Sequence, residues 1–282
     1  MGARPPGPSG DDDPFAIDTD IASPARVLNY LAGGEVNFAT DREVAEEVGD
    51  ALPGGIATAR AAVRTLSAFM GRAVRYLAGE QGIAQFANIG AGIPTAKKIH
   101  EVAQQAAPGS RFVYVGDDPV VLAHAHTMRT SDGDGGAVST YVDGNLRNPE
   151  TIIRNAGETL DFDRPVAVLL LTTLNFVPDE DDPYRLVTEL LEPLQSGSCL
   201  AIAHSSFDLG DEAMHEAAER LDKALRQPYV VRSRSEIAKF FDGLAMAEPG
   251  LVQIDRWRPD GRPSPAPAGR PTPVYVGVGC KP

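Results

Sequence analysis

The segment that most clearly points to ligand binding is residues 88–95, Asn-Ile-Gly-Ala-Gly-Ile-Pro-Thr. It follows a predicted strand and begins a predicted helix. Gly90 and Gly92 are spaced so that the backbone can turn tightly and approach a ligand that a Cβ atom would keep away. A dinucleotide-binding loop would have a third glycine where this chain has Thr95. The segment predicts cofactor contacts, with a plain tight turn as the alternative. The residues concerned are Asn88, Gly90, Ala91 and Gly92.

Two acidic residues follow the second predicted strand, about 25 residues beyond the glycines. Asp117 and Asp118 come after Phe112–Val115, and a carboxylate there can accept hydrogen bonds from ribose hydroxyls in a Rossmann-like cofactor site. Asp118 precedes Pro119, so capping of the next helix explains it equally well. Asp117 has no such role in the sequence and is the better ribose candidate.

Polar residues also follow the next three predicted strands. Asp143 and Asn145 could meet an adenine amino group, with hydration of a surface loop as the alternative. The fourth strand leads into Thr172 and Asn175, and the fifth ends at His204. The carboxyl ends of parallel strands share one edge of the sheet, so these residues are expected to face one cleft. His204 could be a general base with a near-neutral pKa; a hydrogen-bonded structural histidine is the alternative.

The remaining histidines and motifs do not indicate a metal site. His124 and His126 lie two residues apart on a predicted helix, which places them on different faces. His100 and His215 are typical of surface helix positions. The sequence contains no HExxH, CxxC or GxSxG motif. We therefore predict no metal ligand and no zinc or serine hydrolase.

The elements that must position these residues alternate as in an α/β fold. Apolar spacing predicts an amphipathic helix over residues 57–78, and Thr40 with Glu43 predicts a capping box for the helix before it. Further helices are predicted to start at Asp118-Pro119 and Asp182-Pro183, the latter ending near Gly197, and to cover 211–226 and 234–241. The predicted strands are Ile83–Ile89, Phe112–Val115, Ala137–Val142, Val166–Leu171, Ser198–Ala203, Leu251–Ile254 and Val274–Val278. This order predicts a doubly wound, mostly parallel, Rossmann-like sheet with an N-terminal helical layer.

The overall composition limits the class of protein and its partners. A length of 282 residues fits one structural unit, which we divide into a disordered tail at 1–20, a helical lid at 21–80 and a cofactor-binding domain at 81–282. The formal charge of −13 argues against nucleic acid or an anionic membrane as partner. No apolar run approaches the ~20 residues of a membrane helix, and no secretion signal is recognisable.

The two cysteines, Cys199 and Cys280, lack metal-ligand spacing. Cys199 lies in an apolar strand, which predicts a buried free thiol in a reducing compartment rather than a disulfide. We accordingly expect a cytoplasmic protein, monomeric or homodimeric.

Taken together, the chain resembles the actinobacterial S-adenosyl methyltransferase family, within the class I Rossmann-like methyltransferases. The similarity runs from about residue 20 to residue 282. It includes Ser23–Val27, Arg72–Leu77, the glycine loop, Asp118–Ala125 and Arg256–Pro259. The resemblance implies S-adenosyl-L-methionine as the cofactor and a small molecule as the methyl acceptor. It also implies that the N-terminal helices cover the site, with Tyr30, Asn175 and His204 as catalytic candidates.

Four polar positions depart from the pattern of that family. It usually has an acid at positions 88, 116 and 145 and a histidine at 175, where this chain has Asn88, Gly116, Asn145 and Asn175. At position 116 the missing acid is the one expected to bind both ribose hydroxyls. Each lost charge-assisted hydrogen bond would cost about 1.5–3 kcal/mol of cofactor binding. Methyl transfer to a small molecule is the leading hypothesis. A degenerate fold that serves as a binding or scaffold protein, and a non-methylating enzyme that reuses the fold, are the alternatives.

Overall fold

The computed structural model describes residues 18–90, 92, 99–125, 130–131, 138–225, 227–263, 265–266 and 272–282. Most of the tail expected at 1–20 lies outside the described residues, as do Ala91 of the glycine loop and His126.

From residue 18 onward, three helices precede the sheet: α1 (Pro24–Leu31), α2 (Ala39–Ala51) and α3 (Ile56–Gly79). The predicted helix 57–78 agrees with α3 to within one residue at each end, whereas α1 was not predicted. The capping box at Thr40 and Glu43 is wrong. Asp41 caps α2 instead, because its Oδ2 accepts the Phe38 amide at 2.8 Å, and the Thr40 hydroxyl donates to the Thr19 carbonyl.

Within the described residues, the sheet contains nine strands in the order β3-β4-β2-β1-β5-β6-β9-β7, with β8 paired to β9. Their bounds are β1 Gln85–Ile89, β2 Arg111–Gly116, β3 Thr130–Ser131, β4 Val138–Asp143, β5 Ala167–Leu171, β6 Cys199–Ser205, β7 Ala245–Met246, β8 Val252–Gln253 and β9 Val274–Cys280. The five strands β4, β2, β1, β5 and β6 are parallel, and β3, β7, β8 and β9 join by antiparallel pairing. The predicted Rossmann-like, mostly parallel sheet is thus confirmed, while the two-residue strands β3 and β7 were not predicted.

The connecting helices are α4 Ile99–Ala106, α5 Pro119–Ala125, α6 Pro149–Ala156, α7 Pro183–Leu191, α8 Glu212–Leu225 and α9 Arg234–Lys239. Short 3₁₀ turns cover Thr173–Phe176, Asp179–Asp181 and Ile254–Arg256. Both predicted Asp-Pro helix starts are confirmed: Asp118 accepts the Val120 amide at 2.8 Å, and Asp182 accepts the Arg185 amide at 3.3 Å. Helix α7 ends at Leu191, earlier than predicted.

The core has one layer on each face of the sheet. Val113, Val168 and Leu170 point into the layer covered by α6, α7 and α9, and Phe112 and Leu169 point into the layer beneath α3 and α4. Both sides of the central strands are therefore buried, as their continuous apolar runs predict. Among the described residues, no helix is both long enough and apolar enough to cross a membrane.

Cys199 and Cys280 form a disulfide, which contradicts the predicted free thiol. The two residues face each other across β6 and β9. The Cys199 amide donates to the Val166 carbonyl, just before β5, and not to β9. Cys199 and Cys280 therefore form a non-hydrogen-bonded pair, the arrangement in which opposite Cα atoms come closest. Their Cα atoms are 4.0 Å apart. The cysteine argument for a reducing compartment therefore fails.

Candidate functional site

The strand order places one cleft at the carboxyl ends of β1 and β5. Strands β2 and β4 lie on one side of β1, and β5 and β6 lie on the other. Ligands of doubly wound sheets bind at such a point of reversal. A cavity of about 410 Å³ opens here, within the usual range of ligand sites. Its walls come from the carboxyl ends of four strands and from residues 18–28, which include the first half of α1.

Gly90 begins the loop after β1 and has φ of +70°, a conformation that favours glycine. A Cβ atom on Gly90 would lie 2.5 Å from the hydroxyl oxygen of Thr173, which donates to the Ile89 carbonyl at 2.6 Å. Backbone conformation and close contact therefore both require glycine at position 90. Gly92 also lines the cavity, but a Cβ there would make only ordinary contact, 3.7 Å from Ala25 Cα.

Asn88 lies within β1, paired with Tyr114 in β2 and Leu169 in β5. It is 9% exposed and is not among the residues that line the cavity. The structure thus places the predicted contact at Asn88 behind the glycine loop rather than in the cleft.

The acids after β2 have different surroundings. Asp117 lines the cavity and accepts a hydrogen bond from the side-chain amide of Asn145 at 2.5 Å, so it has a partner that the sequence did not indicate. Asp118 caps α5, accepts the Ser23 hydroxyl and lies 3.7 Å from Arg26 Nη1. Its carboxylate is already engaged by α5 and by the N-terminal segment. The alternative interpretation of Asp118 as a helix cap is therefore confirmed.

Asn145 lines the cavity, whereas Asp143 does not. Asp143 is exposed at the end of β4, where its carbonyl accepts the Asn155 side-chain amide at 2.8 Å. The predicted contact at Asp143 therefore falls outside the cleft.

Thr172 follows β5 and lines the cavity. Its φ is +67°, which is rare for a β-branched residue. Its amide donates to the Ala203 carbonyl at 2.8 Å. The backbone at this wall of the cleft is consequently strained, a feature that often accompanies function.

His204 is fully buried, so the proposal of a general base is wrong for this structure. Its Nε2 lies 3.0 Å from Arg232 Nη1 and its Nδ1 lies 2.8 Å from the Ser205 carbonyl oxygen. Arginine can only donate, so Nε2 accepts and Nδ1 carries the proton. Burial, opposed by the Ser205 hydrogen bond, lowers the pKa of His204 to about 4. Both ring nitrogens are occupied, which confirms the structural alternative.

Asn175 is also fully buried and belongs to the same network as His204. Its side-chain amide donates to the Val230 carbonyl at 2.6 Å and its oxygen accepts the Ser205 amide at 3.4 Å. Asn175 therefore supports the wall of the cleft and cannot act as a catalytic group within it.

Tyr30, the third catalytic candidate, faces away from the cavity. Its hydroxyl donates to Glu46 Oε1 in α2 at 2.8 Å, and the guanidinium of Arg60 lies 5.2 Å from its ring. Ala25 and Leu28, on another face of α1, line the cavity instead. The structure thus places other residues of α1, and not Tyr30, beside the cavity.

Comparison with known proteins identifies the family. A profile described as S-adenosyl methyltransferase matches residues 11–282. This chain belongs to the S-adenosyl methyltransferase family. It is 35% identical to a DUF574 family protein from Streptomyces avermitilis, with a TM-score of 0.85 over 95% of this chain and 100% of that one. It is 31% identical to a candidate methyltransferase from Thermobifida fusca, with a TM-score of 0.83 over 93% of this chain and 96% of that one. No curated protein matches it significantly.

Family membership makes the protein an S-adenosylmethionine-dependent methyltransferase whose acceptor is unidentified. Several residues that line the methyltransferase cleft were missed from the sequence. Asp18, Ile21 and Ser23 come from the segment before α1. Arg147, beyond β4, also lines it and bonds the Phe176 carbonyl at 2.8 Å. The expectation that the N-terminal helices cover the site was the signal for this region, but it singled out none of these three residues.

Proposed function

We propose that this methyltransferase holds S-adenosylmethionine across Gly90 and Gly92, with the ribose toward Asp117, and methylates a small molecule covered by α1. The observation that carries the proposal is the cavity at the strand-order reversal, which Gly90 and Gly92 line after β1. Backbone at such a loop can approach a ligand closely. The bound cofactor would supply an activated methyl group, and the surrounding residues would have to orient it and the acceptor.

Asp117 is the better ribose partner because Asp118 is committed elsewhere. Asp118 stabilises the start of α5 and accepts the Ser23 hydroxyl. Asp117 is exposed to the cavity and has only Asn145 as a partner among the described side chains. A carboxylate can accept several hydrogen bonds, so a ribose hydroxyl could join that of Asn145. Asn145 would in turn lie toward the adenine.

On the acceptor side, beneath α1, the cavity is lined by Leu28 and Phe176. The described lining residues include no histidine, lysine or cysteine. This arrangement supports transfer that depends on alignment and exclusion of water rather than on a strong base.

We also propose that residues 21–80 act as a lid. Arg26 is buried and bonds Asp41 Oδ2 at 2.9 Å, which ties the first turn of α1 to α2. Ser23 contacts Asp118 beside the cleft, so the same network links the N-terminal helices to the rim of the site.

Calorimetric titration with S-adenosylmethionine tests this proposal. We expect micromolar binding, and Asp117→Asn should weaken it by about 1.5–3 kcal/mol, the scale of a hydrogen bond to a charged group. Asp242→Asn is the matched control, because it removes the same charge from an exposed residue beyond α9. Millimolar or undetectable binding to the unmodified protein would favour a degenerate fold. Tight binding whose affinity Asp117→Asn leaves unchanged would refute the placement of the ribose.

A further inference from the structure

The wall of the cleft after β5, which we call the 172–177 segment, adopts an unfavourable backbone conformation. Thr172 has φ of +67° and is followed by the 3₁₀ turn Thr173–Phe176. Thr172, Thr173, Phe176 and Val177 all line the cavity. A strained conformation of this kind persists only where the surrounding contacts fix it. Something outside the segment must therefore hold it.

Arg232 makes two such contacts from the loop before α9, beside those of Ala203 and Val230. Its Nη1 donates to the Leu174 carbonyl at 2.9 Å, and its Nη2 donates to the Val177 carbonyl at 2.8 Å. The other bonds run from Nη1 to His204 Nε2 at 3.0 Å and from Nε and Nη2 to Asp179 Oδ1 at 3.2 and 2.6 Å. A guanidinium has five N–H donors, and these five contacts use them all.

We propose that Arg232 is a positioning residue for methyl transfer, which presents the 172–177 segment to the ligands without touching them. Arg232 is 2% exposed and does not line the cavity. Two of its bonds end on carbonyls of the segment itself, and His204 orients the guanidinium from behind. Its acidic partner Asp179 is 71% exposed, so the ion pair alone does not explain why a buried guanidinium lies here. A lysine ammonium carries its three donors on one compact nitrogen and cannot span both carbonyls and the imidazole in one plane.

The consequence rests on the proposed function, in which the ribose lies toward Asp117. We place the amino-acid end of the cofactor at the other wall of the cavity, near Gly90 and Thr173. Disordering the 172–177 segment should then weaken the contacts to the amino-acid end and leave those to the adenosine end unchanged. S-adenosylhomocysteine has both ends, whereas adenosine lacks the amino-acid end. We expect Arg232→Lys to weaken S-adenosylhomocysteine about tenfold and adenosine less than twofold.

Two measurements on the full chain test the proposal: calorimetric titration with both ligands, and hydrogen exchange followed by mass spectrometry. Exchange in peptides covering 172–177 should become at least tenfold faster in Arg232→Lys, while peptides covering β1 and β2 stay unchanged. Arg185→Lys is the matched control, because Arg185 pairs with Glu189 on the exposed surface of α7. It should change neither binding nor exchange.

Equal weakening of both ligands, or no weakening together with unchanged exchange at 172–177, would overturn the role of Arg232. If Arg232→Lys does not fold, Asp179→Asn is measured in its place. A smaller loss of affinity that is confined to S-adenosylhomocysteine supports the proposal. An equal loss for both ligands, or no loss for either, overturns it. An unmodified protein that binds neither ligand would refute the proposed cofactor placement. The exchange measurement would still decide whether Arg232 holds the segment.

Discussion

Stability at mildly acidic pH should depend on the buried imidazole of His204. Burial lowers its pKa to about 4 in the folded protein, compared with 6.5 for an unperturbed histidine. The unfolded chain therefore binds a proton at higher pH than the folded chain does. The stabilisation is complete above pH 6.5 and is lost progressively as the pH falls from 6.5 toward 4. Over that whole range the loss is of order 3 kcal/mol, since one pKa unit corresponds to about 1.4 kcal/mol.

Between pH 7 and pH 5 the same relation gives a loss of about 2 kcal/mol from this residue alone. His204→Gln removes the titration and keeps a side chain that can accept from Arg232 and donate to the Ser205 carbonyl. The variant should be less stable at pH 7, and its deficit should shrink by about 2 kcal/mol at pH 5. Other titrating groups cancel in this comparison because both proteins contain them.

The free energy of unfolding can be followed by urea titration at pH 7, 6 and 5, with the fluorescence of Trp257 as the signal. Trp257 is the single tryptophan and is fully buried, so its emission reports on the core. Curves of unfolding free energy against pH that stay parallel in the two proteins would refute the reasoning. That result would mean that His204 titrates normally and that its ring is not held neutral by Arg232 and Ser205.

Three further predictions concern the cleft and the disulfide. Gly116→Asp should tighten S-adenosylmethionine binding about tenfold, the scale of one charge-assisted hydrogen bond, and an unchanged calorimetric Kd would place the ribose elsewhere. Gly92→Val should abolish that binding while the melting temperature falls by only a few degrees, since a Cβ at position 92 makes only ordinary contact with Ala25; unchanged affinity would make the glycine a simple turn residue. Reduction of Cys199–Cys280, or Cys280→Ser, should lower the free energy of unfolding by about 2–4 kcal/mol, because the bond closes a long loop. Cofactor affinity should not change, because Cys199 begins β6, at the end of the sheet opposite the cleft.

The sequence was sufficient for the fold because the main strands are signalled locally. The apolar run Val166–Leu171 has no polar face and forms the buried strand β5. The Asp-Pro pairs predict the starts of α5 and α7 because proline fits the first turn and aspartate caps it. Gly90 was recognisable for a similar reason: a glycine after a strand marks a backbone conformation that other residues avoid.

Contacts between distant segments could not be predicted in this way. The interpretation of His204 depended on where its ring points, and that depends on Arg232, which lies 28 residues later. The disulfide requires Cys280 to face Cys199, which follows from the antiparallel return of β9 and not from any spacing. Burial of Cys199 was predicted correctly, but burial alone does not distinguish a thiol from a disulfide.

The structure also reduces the weight of the four departures from the family pattern. Asn175 supports the wall of the cleft through Val230 and Ser205, and Asn88 lies behind the glycine loop, so neither change removes a group from the cavity. Asn145 does line the cavity, but its amide donates to Asp117, an interaction that an acid at position 145 could not make unless protonated. Only Gly116 leaves a vacant position in the cleft itself. One missing carboxylate, with Asp117 adjacent to it, weakens a cofactor site by roughly one charge-assisted hydrogen bond. A loss of that size is compatible with a working methyltransferase and does not require a degenerate one.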